Sequence, residues 1–416
     1  MGLNDGVLFP GNLFPLGTTA ETVRAAAAAQ LPARGAINCL VVLIDFPGQP
    51  FNTPIQHYQD LFFSKGKIPT GSVREYYSEV SNKKIDLKGD VIGPFTMPYT
   101  QSQYSNGESG LGDQYPSAST MARDAAIAVA AGNRILSAYD SNRDGFIDAF
   151  ILVFAGTGAE VTDDDILRPN IIWSHKDVID TGACGSADGT KIYGYVAVPE
   201  DCKIGVCAHE LGHLLFGFPD LYNGSKYKSG TGIGSWCLMS GGTWNNEGLT
   251  PAHPSAWCKA QQNWVTVDIP KNNTDNIVLE DVKTSFNIKL LWKNGIVGKE
   301  YFLIENRQQE KFDKFLPGAG LLIWHIDESM YDNTDGVHYK VALMQADGLR
   351  QLETKGPDGM PSYGDASDPY PGTSGNKSFT EHSVPNSISY GGVDSGVKVV
   401  DVTKTGKKIK CSIKVA

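Results

Sequence analysis

His209, Glu210 and His213 have the residue types and the spacing that metal-assisted hydrolysis requires, and they stand in the run CAHELGHLLFGFPD at 207–220. On a helix, residues four apart stack on one face, so the imidazoles of His209 and His213 can reach a single metal ion. Zinc takes neutral imidazole at about 2.0–2.1 Å, and a catalytic site keeps one position open for water. Glu210 follows the first imidazole directly and can take a proton from that water and pass it to a leaving amine. Gly217 and Pro219 should stop the helix, and Asp220 offers an acid just beyond it. The turn at 234–242 (GSWCLMSGG) follows, with Met239 in the manner of a methionine turn below a zinc site.

Several elements must hold these residues. The run INCLVVLIDF (37–46) is continuously apolar and rich in β-branched residues, as a buried strand requires. Residues 54–64 read as a helix with Tyr58, Leu61 and Phe62 on one face. Ser72, with Glu75 three residues on, predicts a capping box that opens the next helix. IDLKGDVIG (85–93) alternates as a strand, and 119–137 contains an alanine-rich helix. The active-site helix itself is expected over 201–216. Its acids at the N-terminus would favour the dipole, and Ile204, Leu211 and Leu215 would face a sheet. PSAWCKAQQNW (254–264) reads as a further helix.

A second chemical motif precedes that helix. Asp140, Asn142 and Asp144 place oxygens at positions 1, 3 and 5 of a calcium-type loop, Gly145 allows the turn, the carbonyl of Phe146 can add an oxygen, and Asp148 is the acid at position 9. Position 12 is Ile151 and not a bidentate glutamate, so the loop is not a complete EF-hand; an Asx-rich turn has the same composition. Asp365 and Asp368 in GDASDPYPG offer a second calcium pair. His175 and His325 each read as hydrogen-bonded core residues. From residue 277 onward the texture changes to short strands and Gly/Pro/Asp turns, which predicts a β-rich C-terminal region.

HELGH, FPDLY and SWCLMSGGTW resemble the immune inhibitor A family of secreted metallopeptidases, relatives of the metzincins. GSVREYYSEVS, DSNRDGFIDAFILVFAGTGAE, IIWSHK, YFLIENRQ, LPGAGLLIWHIDES and GDASDPYPG agree with it, so the resemblance runs from about residue 36 almost to the C-terminus. It implies an α+β fold, with a zincin-type catalytic domain of mixed sheet, active-site helix and Met-turn. The expected organisation is an N-terminal arm or pro-segment remnant at 1–35, the catalytic domain at 36–268 and a β-rich domain packed on it at 269–416. The implied activity is that of a zinc endopeptidase. Zinc would be held by His209, His213 and Asp220, and Glu210 would act as general base; structural calcium in the 140–148 loop is the expectation from that loop's own spacing.

The family pattern is H-E-x-x-H-x-x-G-x-x-D, and this chain departs from it. Leu214, Leu215 and Phe216 separate His213 from Gly217, one residue more than the pattern has. Phe216 holds the glycine position and Pro219, which has no ligand atom, holds the aspartate position. Asp220 becomes the nearest acid if the turn absorbs the extra residue; Glu247 and His253 are the reserves. Some metzincins place a tyrosine two residues after the turn methionine, where this chain has Gly241.

A net charge of −10 argues against a nucleic-acid partner and an anionic membrane, and no apolar run approaches the roughly 18 residues of a membrane span. Proteins or peptides are the expected substrates, and a monomer is the expected state. The N-terminus has no basic stretch followed by an apolar run; the resemblance favours an exported chain that begins after its signal. No pair among the seven cysteines is spaced C-x-x-C, so they do not form a zinc cluster. In an exported protein Cys184 with Cys202 is the preferred disulfide. Two other readings compete: a calcium-stabilised surface or binding protein with a silent zinc site, and a zinc amidase acting on cell-wall peptides.

Overall fold

The computed structural model describes residues 34–112, 114–132, 134–179, 184–223, 230–355 and 359–416. The alanine-rich stretch at 25–30, and all but the last two residues of the expected arm at 1–35, lie outside them. The described residues form a mixed α+β fold with several sheets and few helices.

Residues up to Ser78, with Lys83–Pro219, make one compact unit. Its centre is β1 (Gly35–Asp45), whose residues from Cys39 to Ile44 are wholly inaccessible to solvent. β1 pairs in parallel with β2 (Ile85–Thr96) on one side and β3 (Ala149–Phe154) on the other. A strand buried on both faces must be apolar throughout, and this explains the unbroken run seen in the sequence. β4 (His175–Val178) runs antiparallel at the far edge, and β5 (Cys184–Gly185) and β6 (Lys191–Ile192) form a small ribbon. β7 (Gly194–Pro199) lies between β3 and β4, which completes the order β2-β1-β3-β7-β4. Gly89 lets β2 lie close to β1, since a Cβ there would stand 1.9 Å from the Cys39 carbonyl oxygen.

Parallel pairing requires crossovers, and helices supply them. α1 (Ile55–Phe63) and α2 (Val73–Val80) lead from β1 to β2. The expected capping box opens α2: Ser72 Oγ accepts the Glu75 N–H at 3.1 Å, and Glu75 Oε2 accepts the Ser72 N–H at 3.0 Å. α3 (Gln101–Ser105) and α4 (Ala118–Ala131) lead from β2 to β3. α4, the alanine-rich helix expected within 119–137, ends at Ala131 with Gly132 as its C-cap, and Leu136–Tyr139 forms a separate 3-10 turn. α5 (Ile204–Phe216) carries the histidines and packs on β7, β4 and β3.

Glu79–Asn82 and Asp220–Ala416 make the second compact unit. It contains α6 (Ala256–Gln261), β8 (Thr266–Asp268), β9 (Thr274–Leu279), α7 (Val282–Ser285) and β10 (Asn287–Leu291). β11 (Glu300–Arg307), β12 (Gly320–Asp327) and β13 (Val341–Leu343) follow, then β14 (Lys398–Thr405) and β15 (Lys408–Lys414). The strands form two sheets, β13-β12-β11-β10-β8 and β14-β15-β9. The strand-rich texture expected from residue 277 onward is thus present, with β13 the shortest of these later strands. At the end of β11, Arg307 is fully buried between Asp313 and Glu305, so the charges taken from water are paired. The packing division between the two units falls at Pro219–Asp220, since the segment after Asp220 bonds to later chain: the Thr231 N–H donates to the Leu352 carbonyl and the Ser235 N–H to that of Tyr363.

The expected Cys184–Cys202 disulfide is not formed, and all seven cysteines are free thiols. Cys202 precedes α5 and Cys207 sits in its first turns, so their sulfurs approach to 3.5 Å, whereas Cys184 belongs to the β5 ribbon. Cys184 is half-buried and the other six are buried. Alkylation of the native chain is therefore expected to add a single label, at Cys184. Mass spectrometry of the digested product counts the labels, and modification of Cys202 or Cys207 before unfolding would contradict this packing.

Candidate active site

The expected acids do not start α5. It begins at Ile204, with Lys203 as its N-cap and no acid in the first turn. Glu200 instead fixes the approach to the helix. Its Oε1 accepts the N–H groups of Asn52 at 2.8 Å and Thr53 at 2.7 Å, and its Oε2 accepts that of Gly156 at 3.2 Å. Ile204 and Leu211 are buried, while Leu215 is only half-buried and Leu214 and Phe216 take its place in the interior. Tyr77 donates its hydroxyl to the Ala208 carbonyl and packs its ring on Phe216 at 5.0 Å, which fixes the helix along its length.

Gly217 ends the helix in the left-handed region, at φ 70° and ψ 23°, with its N–H on the Gly212 and His213 carbonyls. That conformation costs glycine little and other residues more. It turns the Phe218 carbonyl back to His213 Nδ1, 2.6 Å away. A carbonyl only accepts, so Nδ1 carries the proton and Nε2 keeps its lone pair. That Nε2 stands 3.1 Å from His209 Nε2. His209, His213 and Asp220 each offer a ligand atom, and these atoms all lie within 4.8 Å of one another. The three fall within twelve consecutive residues, so the cluster is made by one helix and its exit turn. Two half-buried members and one buried member suit a metal site that solvent and substrate can reach.

Asp220 is steadied from its own side of the turn. Tyr222 donates its hydroxyl to Asp220 Oδ2 at 2.9 Å, and the Leu221 N–H donates to the Met239 carbonyl at 2.7 Å. Gly232 makes room for that segment: a Cβ there would stand 2.0 Å from the Leu221 carbonyl oxygen. Met239 is fully buried. At Gly241 a Cβ would meet the Tyr363 ring at 2.6 Å, so the position taken by tyrosine in some metzincins has no room for a side chain. Neither reserve ligand joins the histidines. Glu247 is exposed, and His253 is buried with its Nε2 2.9 Å from Glu79 Oε1.

Glu210 is 7% exposed, next to the first histidine. A second carboxylate that the motif did not reveal, Glu160, lies close enough for the two charges to interact. Burial, with the charge of Glu210 adding to it, raises the Glu160 carboxyl above its usual range, against the Ser174 hydroxyl and N–H that bond to it. Its only sequence signal is its place just past a buried strand.

The 140–148 loop folds as an Asx-rich turn. Asp140 accepts the N–H groups of Asp144 and Gly145, Asn142 also accepts that of Asp144, and Asp144 accepts that of Phe146. Asp148 accepts the Ser141 N–H at 2.8 Å. Among the described residues, the groups of three or more His, Cys, Asp or Glu gathered within 4.8 Å are His209, His213 and Asp220, and Asp347, Asp365 and Asp368; the 140–148 acids are not gathered so closely. His175 is bonded to the Trp173 carbonyl and the Tyr195 hydroxyl, and His325 to Glu300, as core histidines.

Comparison with known proteins adds to this geometry. The family model for the immune inhibitor A peptidase M6 catalytic domain matches residues 40–272. The pre-pro-metalloprotease PrtV of Vibrio cholerae serotype O1 is 29% identical over 269 residues, covering 53% of this chain and 29% of that protein. Immune inhibitor A of Bacillus thuringiensis subsp. alesti is 28% identical over 234 residues, covering 47% of this chain and 33% of that protein. The matched region thus spans about a third of the length of these curated relatives. With the family model matching more than half of its residues, the chain belongs to the immune inhibitor A family of M6 metallopeptidases.

Proposed function

We propose that the chain is a secreted, monomeric zinc endopeptidase acting on proteins or peptides, with His209, His213 and Asp220 as metal ligands and Glu210 as general base. One observation carries the reading: the three ligand atoms lie within 4.8 Å, and the Phe218 carbonyl fixes His213 in the tautomer that leaves Nε2 for a metal. Two imidazoles and one carboxylate are a donor set that zinc accepts in hydrolytic sites. The domain reading is part of the proposal, with a zincin-type catalytic domain at 36–268 and a β-rich domain at 269–416. The family match over 40–272 supports the first of these.

Zinc, when bound, supplies Lewis-acid chemistry that acidifies a water and polarises the scissile carbonyl. Glu210 takes one proton from the attacking water as the water oxygen bonds to the carbonyl carbon. It then returns that proton to the amide nitrogen as the C–N bond breaks. Calcium at the 140–148 loop belongs to the same proposal. Burial, with the charges of Asp140 and Asp144 adding to it, raises the Asp148 carboxyl, and a cation among the three would relieve that repulsion.

Metal removal tests the reading. Treating the chain with EDTA should abolish casein hydrolysis, and stoichiometric zinc should restore it. Activity that survives complete removal of metal would refute a zinc mechanism.

A further inference from the structure

A second group of ligand atoms belongs to the second compact unit. Asp347, Asp365 and Asp368 each offer a carboxylate oxygen, and these atoms lie within 4.8 Å of one another. The residues come together because the Ala346 N–H donates to the Asp368 carbonyl at 2.8 Å, joining the segment after β13 to the 365–368 turn.

Asp368 is 1% exposed and its hydrogen bonds are incomplete. Its Oδ2 accepts the Trp236 indole N–H at 3.0 Å and the Asp365 N–H at 2.9 Å. Its Oδ1 is buried and has no hydrogen-bond partner. An acceptor in that state costs about 1–3 kcal/mol unless something binds it. Ser367 repeats the shortage. Its hydroxyl lies 2.7 Å from Asp347 Oδ2 and also within bonding distance of Asp365 Oδ1. A hydroxyl has one proton, so it serves one carboxylate and presents a lone pair to the other. Burial, with the charges of Asp365 and Asp347 adding to it, pushes the Asp368 carboxyl up to about 7.

We propose that Asp347, Asp365 and Asp368 bind a structural calcium ion, with Asp368 Oδ1 as the buried ligand and the Ser367 hydroxyl oxygen beside it. The donors are hard oxygens with no nitrogen or sulfur, which suits calcium and not zinc. Calcium takes 6–8 oxygens in flexible geometry, so waters and nearby carbonyls can complete the shell. The ion would clamp the loop that holds Trp236. The same loop supplies the Tyr363 carbonyl to the Ser235 N–H, at the start of the Met239 turn.

Terbium is the probe, because it replaces calcium and is sensitised by a nearby indole. In the zinc-loaded full chain, freed of calcium by dialysis, added Tb3+ should give saturable emission on indole excitation, and excess Ca2+ should displace it. Emission should fall at least tenfold in Trp236→Phe and in Asp368→Asn, and should persist in Asp144→Asn, which removes a charge from the 140–148 loop. Asp347 is only half-buried, so Asp347→Asn gives a second test, with the same loss expected, if Asp368→Asn fails to fold. Full emission in a folded Asp368→Asn or Asp347→Asn protein would overturn the proposal. So would loss of emission in Asp144→Asn alone. Displacement of Tb3+ by Mg2+ as readily as by Ca2+ would overturn the assignment to calcium.

Discussion

Glu210→Gln should keep its zinc and lose its catalysis. The substitution preserves volume and removes only the ability to take a proton, at a position next to one ligand and 7% exposed. General acid–base catalysis contributes about 10²–10⁴-fold, and a residue acting on both sides of the tetrahedral step should sit at the upper end. The loss should appear equally in kcat and kcat/KM, since the proton transfer is made only in the transition state. Metal content should stay at one zinc per chain, because Glu210 is outside the cluster of His209, His213 and Asp220. A variant that hydrolyses casein within a few fold of the parent rate would remove Glu210 from the mechanism.

Asp220→Ala has the second largest expected effect, and it should act on the metal. Loss of an outer hydrogen-bond partner of a ligand costs about 10–100-fold in affinity, and loss of a ligand should exceed that. Zinc affinity is therefore expected to drop by more than about 100-fold, with activity falling in parallel. Competition against a chromophoric chelator reads the affinity directly. Glu247→Ala is the control: Glu247 is exposed and outside the cluster, so its removal should leave zinc content unchanged. The reverse pattern, with Asp220→Ala fully loaded and Glu247→Ala empty, would move the third ligand to Glu247. Tyr222→Phe should fall between them, since it removes one hydrogen bond to Asp220 and no ligand.

Local signals in the sequence carried a long way. The Ser72–Glu75 box, the apolar run of β1 and the alternating strands after residue 277 each depend on neighbours a few positions apart, and each formed. The end of α5 was legible for the same reason, since a glycine after a helical run can take the left-handed turn. Readings that depended on distant partners were less secure. Glu200 and Asp201 resembled helix-dipole acids, but Glu200 serves N–H groups almost 150 residues earlier in the chain. Cys202 had Cys207 as a nearer neighbour in space than Cys184, which spacing alone could not show. Asp365 and Asp368 stood out as a pair, while Asp347 joins them only because β13 ends beside their turn. Glu160 carried no pattern at all, because its importance is a matter of burial and of a charge on another element.

The left-handed Gly217 also bears on how such a site can change over evolution. An added residue inside a helix turns everything beyond it by about 100° and lengthens the axis by about 1.5 Å, enough to swing a following ligand away from the metal. Here the residues between His213 and Gly217 all lie within the helix, and the left-handed Gly217 then turns the chain so that the Phe218 carbonyl reaches His213 Nδ1. A search that demands glycine three residues after the second histidine would pass over this chain. One that asks for a glycine-ended helix with a carboxylate a few residues beyond would retain it.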